Sequence, residues 1–311
     1  MKIGIIGAMD EEIALYVDNL AETVTVEKAG ITYYEGKWEG TSVVLCKSGV
    51  GKVNAAVTTQ ILIDQFKVDS VIFTGVAGAV HPTLNIGDIV VSTDCLQHDI
   101  DVTPLGFAPG QIPFTEKSVW EADPGLIQLA VHAGRELEAG VQVTTGRILS
   151  GDQFVADREK VQKLHEQFAA HCIEMEGAAV GQVCAMNQTP FVVVRSMSDK
   201  ADGSAHVNFA EFTKLASERS YAIVRQMLRA MTPAVIVYST KNCIDCDMVK
   251  NWLTAKGLRF EVRDVMTSRA YQEEVERFGF MGVPVTVVGE KAVKGFQPVE
   301  LEQLVAGLGT K

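Results

Sequence analysis

An α/β chain in two domains is the architecture the sequence predicts, and three observations predict it. As far as Met231, short apolar runs alternate with amphipathic helical patterns. Nearly every apolar run ends in small or polar residues. The dipeptide Thr232-Pro233 then interrupts the pattern, and a new strand pattern begins over a stretch long enough for a small independent domain. The domains are therefore placed at 1–231 and 232–311. Runs that are apolar along their whole length are buried on both faces, which indicates a largely parallel central sheet covered by helices.

The elements follow in order. KIGIIG is the first strand, and MDEEI opens a helix on acids that suit its positive end. TSVVLCKSG, SVIFTGVAG, DIVVSTDCL, VTTGRILSG and FVVVRSMSD are strands rich in β-branched residues, while NAAVTTQILIDQF, PGLIQLAVHAGREL and FAEFTKLASERSYAIVRQML carry helical periodicity. GAMDEE, SGVGK, TGVAG, SGDQF and SMSDK stand at strand ends, where open α/β sheets place their sites. Beyond Pro233 come strand AVIVYST, the motif CIDC, helix DMVKNWLTAKG, strand RFEVRDV, helix SRAYQEEVERFG, strands VPVTVVG and KAVKGF, and helix PVELEQLVAGL.

Composition narrows the function. A chain of 311 residues that is 47% hydrophobic can fill two cores, and a net charge of −11 opposes binding to a nucleic-acid backbone. No apolar run approaches the ~20 residues that span a bilayer, and MKIGIIGAMDEE reads as strand and turn rather than as a signal peptide, so a cytoplasmic protein is expected. Cys46, Cys95, Cys172 and Cys184 read as core thiols. His81, His98, His132, His165, His171 and His206 form no close ligand pair, so neither a metal nor a cofactor is expected.

One segment is anomalous. CIEMEGAAVGQVCAM places Glu174 and Glu176 in a run that otherwise reads as core. Stripping water from a carboxylate costs several kcal/mol, so buried acids are paired or bound to something. Two accounts stand at this level: acids at a helix start, or acids that hold a ligand. Asp199 in SMSDKADGS is open in the same way, as a cap on a polar strand exit or as part of a site.

MKIGIIGAMDEEI, KSGVGKVNAA, TGVAGAV, NIGDIVVS, HDIDVT, SGDQF, EMEGAAV and PFVVVRSMSDKAD, in that order, resemble the 5′-methylthioadenosine/S-adenosylhomocysteine nucleosidases of the purine nucleoside phosphorylase superfamily. The resemblance implies a three-layer phosphorylase/hydrolase-like domain with a mixed central sheet, and hydrolysis of the bond between adenine and ribose. By position it makes Asp199 the acid that protonates the leaving base, held by Ser198. Glu12 orients the attacking water, with a part as general base, and Arg195 lies near Glu12. Glu176 accepts the ribose hydroxyls with Met175 beneath the sugar, and Glu174 is counted among the binding residues. Phe154 stacks on adenine while the backbone of Val155 reads its edge. Ala8, Val50, Ala77 and Gly78 leave room for the substrate, and Met9 and Phe209 form part of an apolar pocket for its 5′ thioether. A neighbouring subunit closes that pocket with residues matching Val102, Leu105 and Pro113, which implies a homodimer. Val76 stands where Ser is common in relatives, removing a small hydrogen bond near the base. Two other readings remain: a nucleosidase acting mainly on 6-amino-6-deoxyfutalosine, and a non-catalytic nucleoside sensor that regulates the second domain.

In the second domain, Cys243 and Cys246 are spaced as a CxxC after a strand and at a helix start, where the helix dipole stabilises a thiolate. Half a zinc site is the alternative, but no second CxxC exists in the chain. The domain resembles the glutaredoxins and small glutaredoxin-like redoxins, a thioredoxin fold. That resemblance implies a cis peptide at Val283-Pro284 beside the active sulfur, a reductant that is either glutathione or a thioredoxin reductase, and a disulfide client. Asp245 within the motif departs from CPYC.

Overall fold

The computed structural model describes residues 1–137, 140–200, 205–231, 235–306 and 308, and of 205–211 the backbone alone. These form two compact units, Met1–Ala230 and Met231–Lys311. The dipeptide Thr232-Pro233 lies outside the described residues. Among the described residues no helix is long and apolar enough to cross a membrane.

The first unit runs β1 (Lys2–Gly7), α1 (Asp10–Asn19), β2 (Ala21–Lys28), β3 (Ile31–Trp38), β4 (Thr41–Lys47), α2 (Lys52–Asp64), β5 (Ser70–Ala79), β6 (Ile89–Gln97), β7 (Val119–Glu121), α3 (Pro124–Gly134), β8 (Val143–Ser150), α4 (Arg158–Phe168), β9 (Ala170–Glu174), α5 (Gly177–Met186), β10 (Phe191–Asp199) and α6 (Ala205–Met231). Its sheet has the order β10-β6-β8-β9-β5-β1-β4-β3-β2, with β7 beside β6, and β10 also pairs with β5. β5, β10, β6, β8 and β9 thus close a ring, from which β1, β4, β3 and β2 extend.

This sheet is mixed, as the family resemblance implies and the bare strand patterns do not. β4, β1, β5 and β10 are mutually parallel, and so are β6, β8 and β9. The two sets meet antiparallel at β10–β6 and β5–β9, and β2, β3 and β4 form an antiparallel meander. The expectation of a largely parallel sheet is corrected here, because burial on both faces marks a strand as central without encoding its direction. Every residue of β10 is buried, including Arg195, Ser198 and Asp199, so polar side chains there lie where water is excluded.

The second unit runs β11 (Val235–Ser239), α7 (Ile244–Ala255), β12 (Phe260–Asp264), α8 (Arg269–Arg277), β13 (Val285–Val288), β14 (Lys291–Lys294) and α9 (Pro298–Val305). Its four-stranded sheet has the order β12-β11-β13-β14, parallel between β11 and β12 and antiparallel elsewhere. Alternation along β11 serves two faces. Val235 and Val237 join Val249, Leu253, Leu301 and Leu304 from α7 and α9. Tyr238 joins Val275 of α8, Val285 and Val287 on the other side.

Candidate active site

The strand ends of the ring surround one cavity of about 210 Å³, lined mainly by apolar atoms and walled by segments from across the first unit. Ala8, Met9 and Glu12 come from the end of β1 and the start of α1, Val50 from the loop after β4, and Val76, Ala77 and Gly78 from β5. Gln153, Phe154 and Val155 follow β8, Ile173, Glu174, Met175 and Glu176 span the β9–α5 junction, and Ser198 and Asp199 end β10.

Glu12 occupies the third position of α1 and turns inward, while Asp10 and Glu11 beside it stay exposed. Its carboxylate accepts N–H groups from Ala8 at 2.6 Å, Met9 at 3.0 Å and Val76 at 2.8 Å. Burial pushes this carboxyl above its usual range, against the pull of Arg195 and the three N–H groups. Gly75 makes room for it: φ is +148°, and a Cβ there would lie 2.1 Å from Glu12 Oε1.

Arg195 is the buried cation that balances the acids. Its guanidinium donates to Glu174, lies 3.5 Å from Glu176 and 3.8 Å from Glu12, and sits 4.0 Å over the ring of Phe73. The expected neighbour, Glu12, is thus in reach, but the closest partner is Glu174. That acid also accepts the Ser150 hydroxyl and the N–H of Gly177 at 2.7 Å. Its oxygens are therefore taken up by the protein, and it holds the β9–α5 turn, where Glu176 is presented to the cavity. Glu176 accepts the N–H of Gly51 at 2.8 Å. Burial, then the charge of Glu174, push Glu176 up to about 8 although Arg195 and Gly51 oppose this.

Asp199 is 2% exposed, and the Ser198 hydroxyl donates to its Oδ2 at 3.0 Å. The β10–β5 register shifts between Met197 and Asp199, an irregularity of the kind that re-aims a side chain at a strand end. Of the other residues named from sequence, Phe154 and Val50 are each 49% exposed and line the mouth, and Val155 is buried. Val102, Leu105 and Pro113 do not line the cavity of this single chain. The side chain of Phe209 lies outside the described residues. Gln153, Ile173 and Ser150 were not foreseen: nothing in SGDQF or CIE distinguishes them from ordinary loop and core positions.

Residues 2–229 match the family model of the phosphorylase superfamily. The chain belongs to that superfamily. A 5′-methylthioadenosine/S-adenosylhomocysteine nucleosidase of Bacillus subtilis (strain 168) is 42% identical over 230 residues, 74% of this chain and 99% of the relative. One of Glaesserella parasuis serovar 5 (strain SH0165) is 44% identical over 230 residues, 73% of this chain and 98% of the relative. The solved nucleosidase of Neisseria meningitidis in complex with methylthio-immucillin-A superposes with a TM-score of 0.71 at 40% identity, covering 74% of this chain and 99% of that one. The futalosine hydrolase of Helicobacter pylori strain 26695 gives 0.70 at 33% identity, covering 74% and 98%. The first superfamily unit is accordingly a nucleosidase, an N-glycosyl hydrolase. Residues 235–293 match the glutaredoxin family model.

In that second unit Cys243 caps α7, accepting the N–H of Cys246 at 3.2 Å, and the two sulfurs are bonded to each other. Cys246 is fully buried and Cys243 partly exposed. The Val283-Pro284 peptide is cis. Cys46, Cys95, Cys172 and Cys184 are buried free thiols of the first unit.

Proposed function

We propose that the first unit hydrolyses 5′-methylthioadenosine and S-adenosylhomocysteine to adenine and the corresponding thioribose, and that the second exchanges dithiol for disulfide. The observation that carries the first reading is the convergence of Glu12, Glu176 and Asp199, all at least nine-tenths buried, on one mainly apolar cavity. Adenine leaves poorly as an anion. Asp199 gives a proton to N7 as the C1′–N9 bond breaks, and the base departs neutral. Glu176 accepts hydrogen bonds from the 2′- and 3′-hydroxyls through its carboxyl oxygens, and its ionised form favours the cationic sugar as the bond breaks. Water adds to C1′ and Glu12 takes its proton.

Water is favoured over phosphate because the acceptor side of the cavity is acidic. Arg195, the cation there, is already engaged by Glu174, Glu12 and Glu176, so a dianion beside Glu12 would be uncompensated. A substrate thioether suits the apolar lining supplied by Ala8, Met9 and Val50. Leu105, 70% exposed, supports a homodimer in which a second subunit completes that end of the pocket. A non-catalytic sensor has no use for a water-orienting Glu12 and is set aside. 6-Amino-6-deoxyfutalosine is the competing substrate, favoured by the Helicobacter pylori neighbour at lower identity than the nucleosidases named above. In the second unit, Cys243 is the attacking thiol and Cys246 the resolving one, with glutathione or a thioredoxin reductase as reductant. The cell compartment proposed for both reactions is the cytoplasm.

The test is adenine release from the three nucleosides in phosphate buffer. The thioether nucleosides should give the highest kcat/KM and free thioribose. Asp199→Asn should bind substrate but lose about 10²–10⁴ in kcat. A ribose 1-phosphate product, near-normal turnover by Asp199→Asn, or a clear preference for aminofutalosine would each overturn its part of the reading.

A further inference from the structure

The loops that follow β4, β6 and β8 are tied by one ring of hydrogen bonds. Lys52, the first residue of α2, donates its backbone N–H to Asp152 Oδ1 at 2.8 Å and its ammonium to Asp99 Oδ1 at 2.7 Å. Asp99 Oδ2 accepts the N–H of Asp152 at 3.0 Å, which closes the ring. The side chains of Lys52 and Asp99 are 17% and 13% exposed, so the pair is largely shielded from the screening that weakens surface bridges. Burial pushes the Asp99 carboxyl up, but the Lys52 ammonium and the Asp152 N–H outweigh it and hold the group below its usual range. Asp99 therefore stays ionised at neutral pH.

None of the three residues lines the cavity, yet Lys52 and Asp152 each adjoin a segment that does, and Asp99 ties the two together. Val50 precedes Lys52 by two positions, and Gln153, Phe154 and Val155 directly follow Asp152. Gly51, between Val50 and Lys52, donates its N–H to Glu176. Its φ is +100°, and a Cβ there would come within 3.2 Å of Asp152 Oδ1, so the ring closes against a bare backbone.

We infer that the Lys52–Asp99–Asp152 ring is a positioning device for the nucleoside: it fixes the Gly51 N–H on Glu176 and sets the spacing of the Val50 and Phe154–Val155 walls. The inference rests on the reading of Glu176 as the ribose ligand. Lys52, Asp99 and Asp152 are positioning residues, acting through Gly51 and the loop after β8. A misplacement of about 1 Å in such a group can cost a hundredfold in rate, so the loss of one charge in the ring should be visible in turnover.

The experiment measures kcat, KM and thermal midpoint for adenine release from 5′-methylthioadenosine by the full chain. The variants are Asp99→Asn, Lys52→Met, Lys52→Arg, Glu176→Gln and the double variant Asp99→Asn/Glu176→Gln. Asp99→Asn keeps the shape of the side chain and should fold. It and Lys52→Met should lose about tenfold or more in kcat/KM, with Lys52→Arg recovering part of the loss. If the ring acts through Glu176, the double variant loses less than the product of the two single losses. Retention of kcat/KM within about twofold by Asp99→Asn, or losses that simply multiply in the double variant, would overturn the inference while leaving the nucleosidase reading intact. A wild type that releases no adenine, or a Glu176→Gln variant with full activity, would overturn the underlying reading and the inference with it.

Discussion

In the nucleosidase unit Arg195 is 1% exposed and stands among three buried glutamates, whereas in the glutaredoxin unit the helix carrying Cys243 starts at the surface, with Ile244 79% exposed. The contrast follows from what each centre has to meet. A nucleoside is small enough to be enclosed, and enclosure strengthens every electrostatic contact in the site while leaving its charges dependent on one another. On the proposed dithiol reading the second centre must be reached by another molecule, which its place at a helix start and the partial exposure of Cys243 allow. The first centre is therefore built from charges contributed by distant strands, and the second from four consecutive residues.

Removing the shared cation should break the contrast most severely. Arg195→Met leaves Glu12, Glu174 and Glu176 buried without a counter-charge, and loss of one partner of a buried pair costs about 3–5 kcal/mol. Urea unfolding of the nucleosidase unit should show a loss of that size together with lost hydrolysis. The corresponding change in the second unit, Arg263→Met, touches a cluster with Glu261 and Glu274 whose side chains are partly open to water and should cost about 1 kcal/mol or less. Equal losses in the two units would mean that burial is not what separates them.

Thiol trapping sharpens the other side of the comparison. Cys246→Ser mixed with a disulfide substrate should accumulate a mixed disulfide at Cys243, and Cys243→Ser should accumulate little, because Cys246 is enclosed. Mass mapping of the adduct to Cys246 would reverse the assignment. A smaller effect is expected from pH. Glu12 and Glu176 are raised in the folded state, so the fold binds protons that the unfolded chain has released. Their contribution is complete below the usual carboxylate range and is lost as pH rises through about 8 for Glu176. Stability of the nucleosidase unit should therefore fall steadily between pH 5 and pH 8, and Glu176→Gln should flatten that slope in denaturant titrations. The smallest change concerns the junction. Ending the chain after Met231 should leave kcat/KM for hydrolysis unchanged, since no residue proposed for the nucleosidase site lies beyond it; a folded but inactive truncation would show that the second unit contributes to the first site.

Much of the fold was legible because its central strands are written in one dialect. β1, β4, β5, β6, β8 and β10 are β-branched and apolar, and the sequence patterns mark each of them. β2 and β3 escaped: AETVTVEK is almost wholly exposed at the edge of the sheet, so no buried apolar run marks it, and β3 beside it is only partly buried. The antiparallel junctions β10–β6 and β5–β9 were not readable either, because they arise from closure of the ring and not from any strand's composition. In the site, Glu176 stood out early as an acid in a core-like run, but Glu12 and Asp199 read as ordinary helix-start and strand-exit acids until eight motifs in order gave all three a common purpose. Arg195 was placed near Glu12, and its closer bond to Glu174 depends on a turn geometry that spacing does not encode. Lys52 and Asp99 are 47 positions apart, and only the closure of the ring makes them neighbours.

The closed ring also fixes when the enzyme can exist during synthesis. β10 completes it by pairing with β5 and β6, and it supplies Arg195 and Asp199. A nascent chain that has emerged only as far as α5 holds Glu12, Glu174 and Glu176 but no cation to bring them together. The nucleosidase cavity thus cannot be complete before the segment from Phe191 to Asp199 has left the ribosome, and the glutaredoxin unit follows it out.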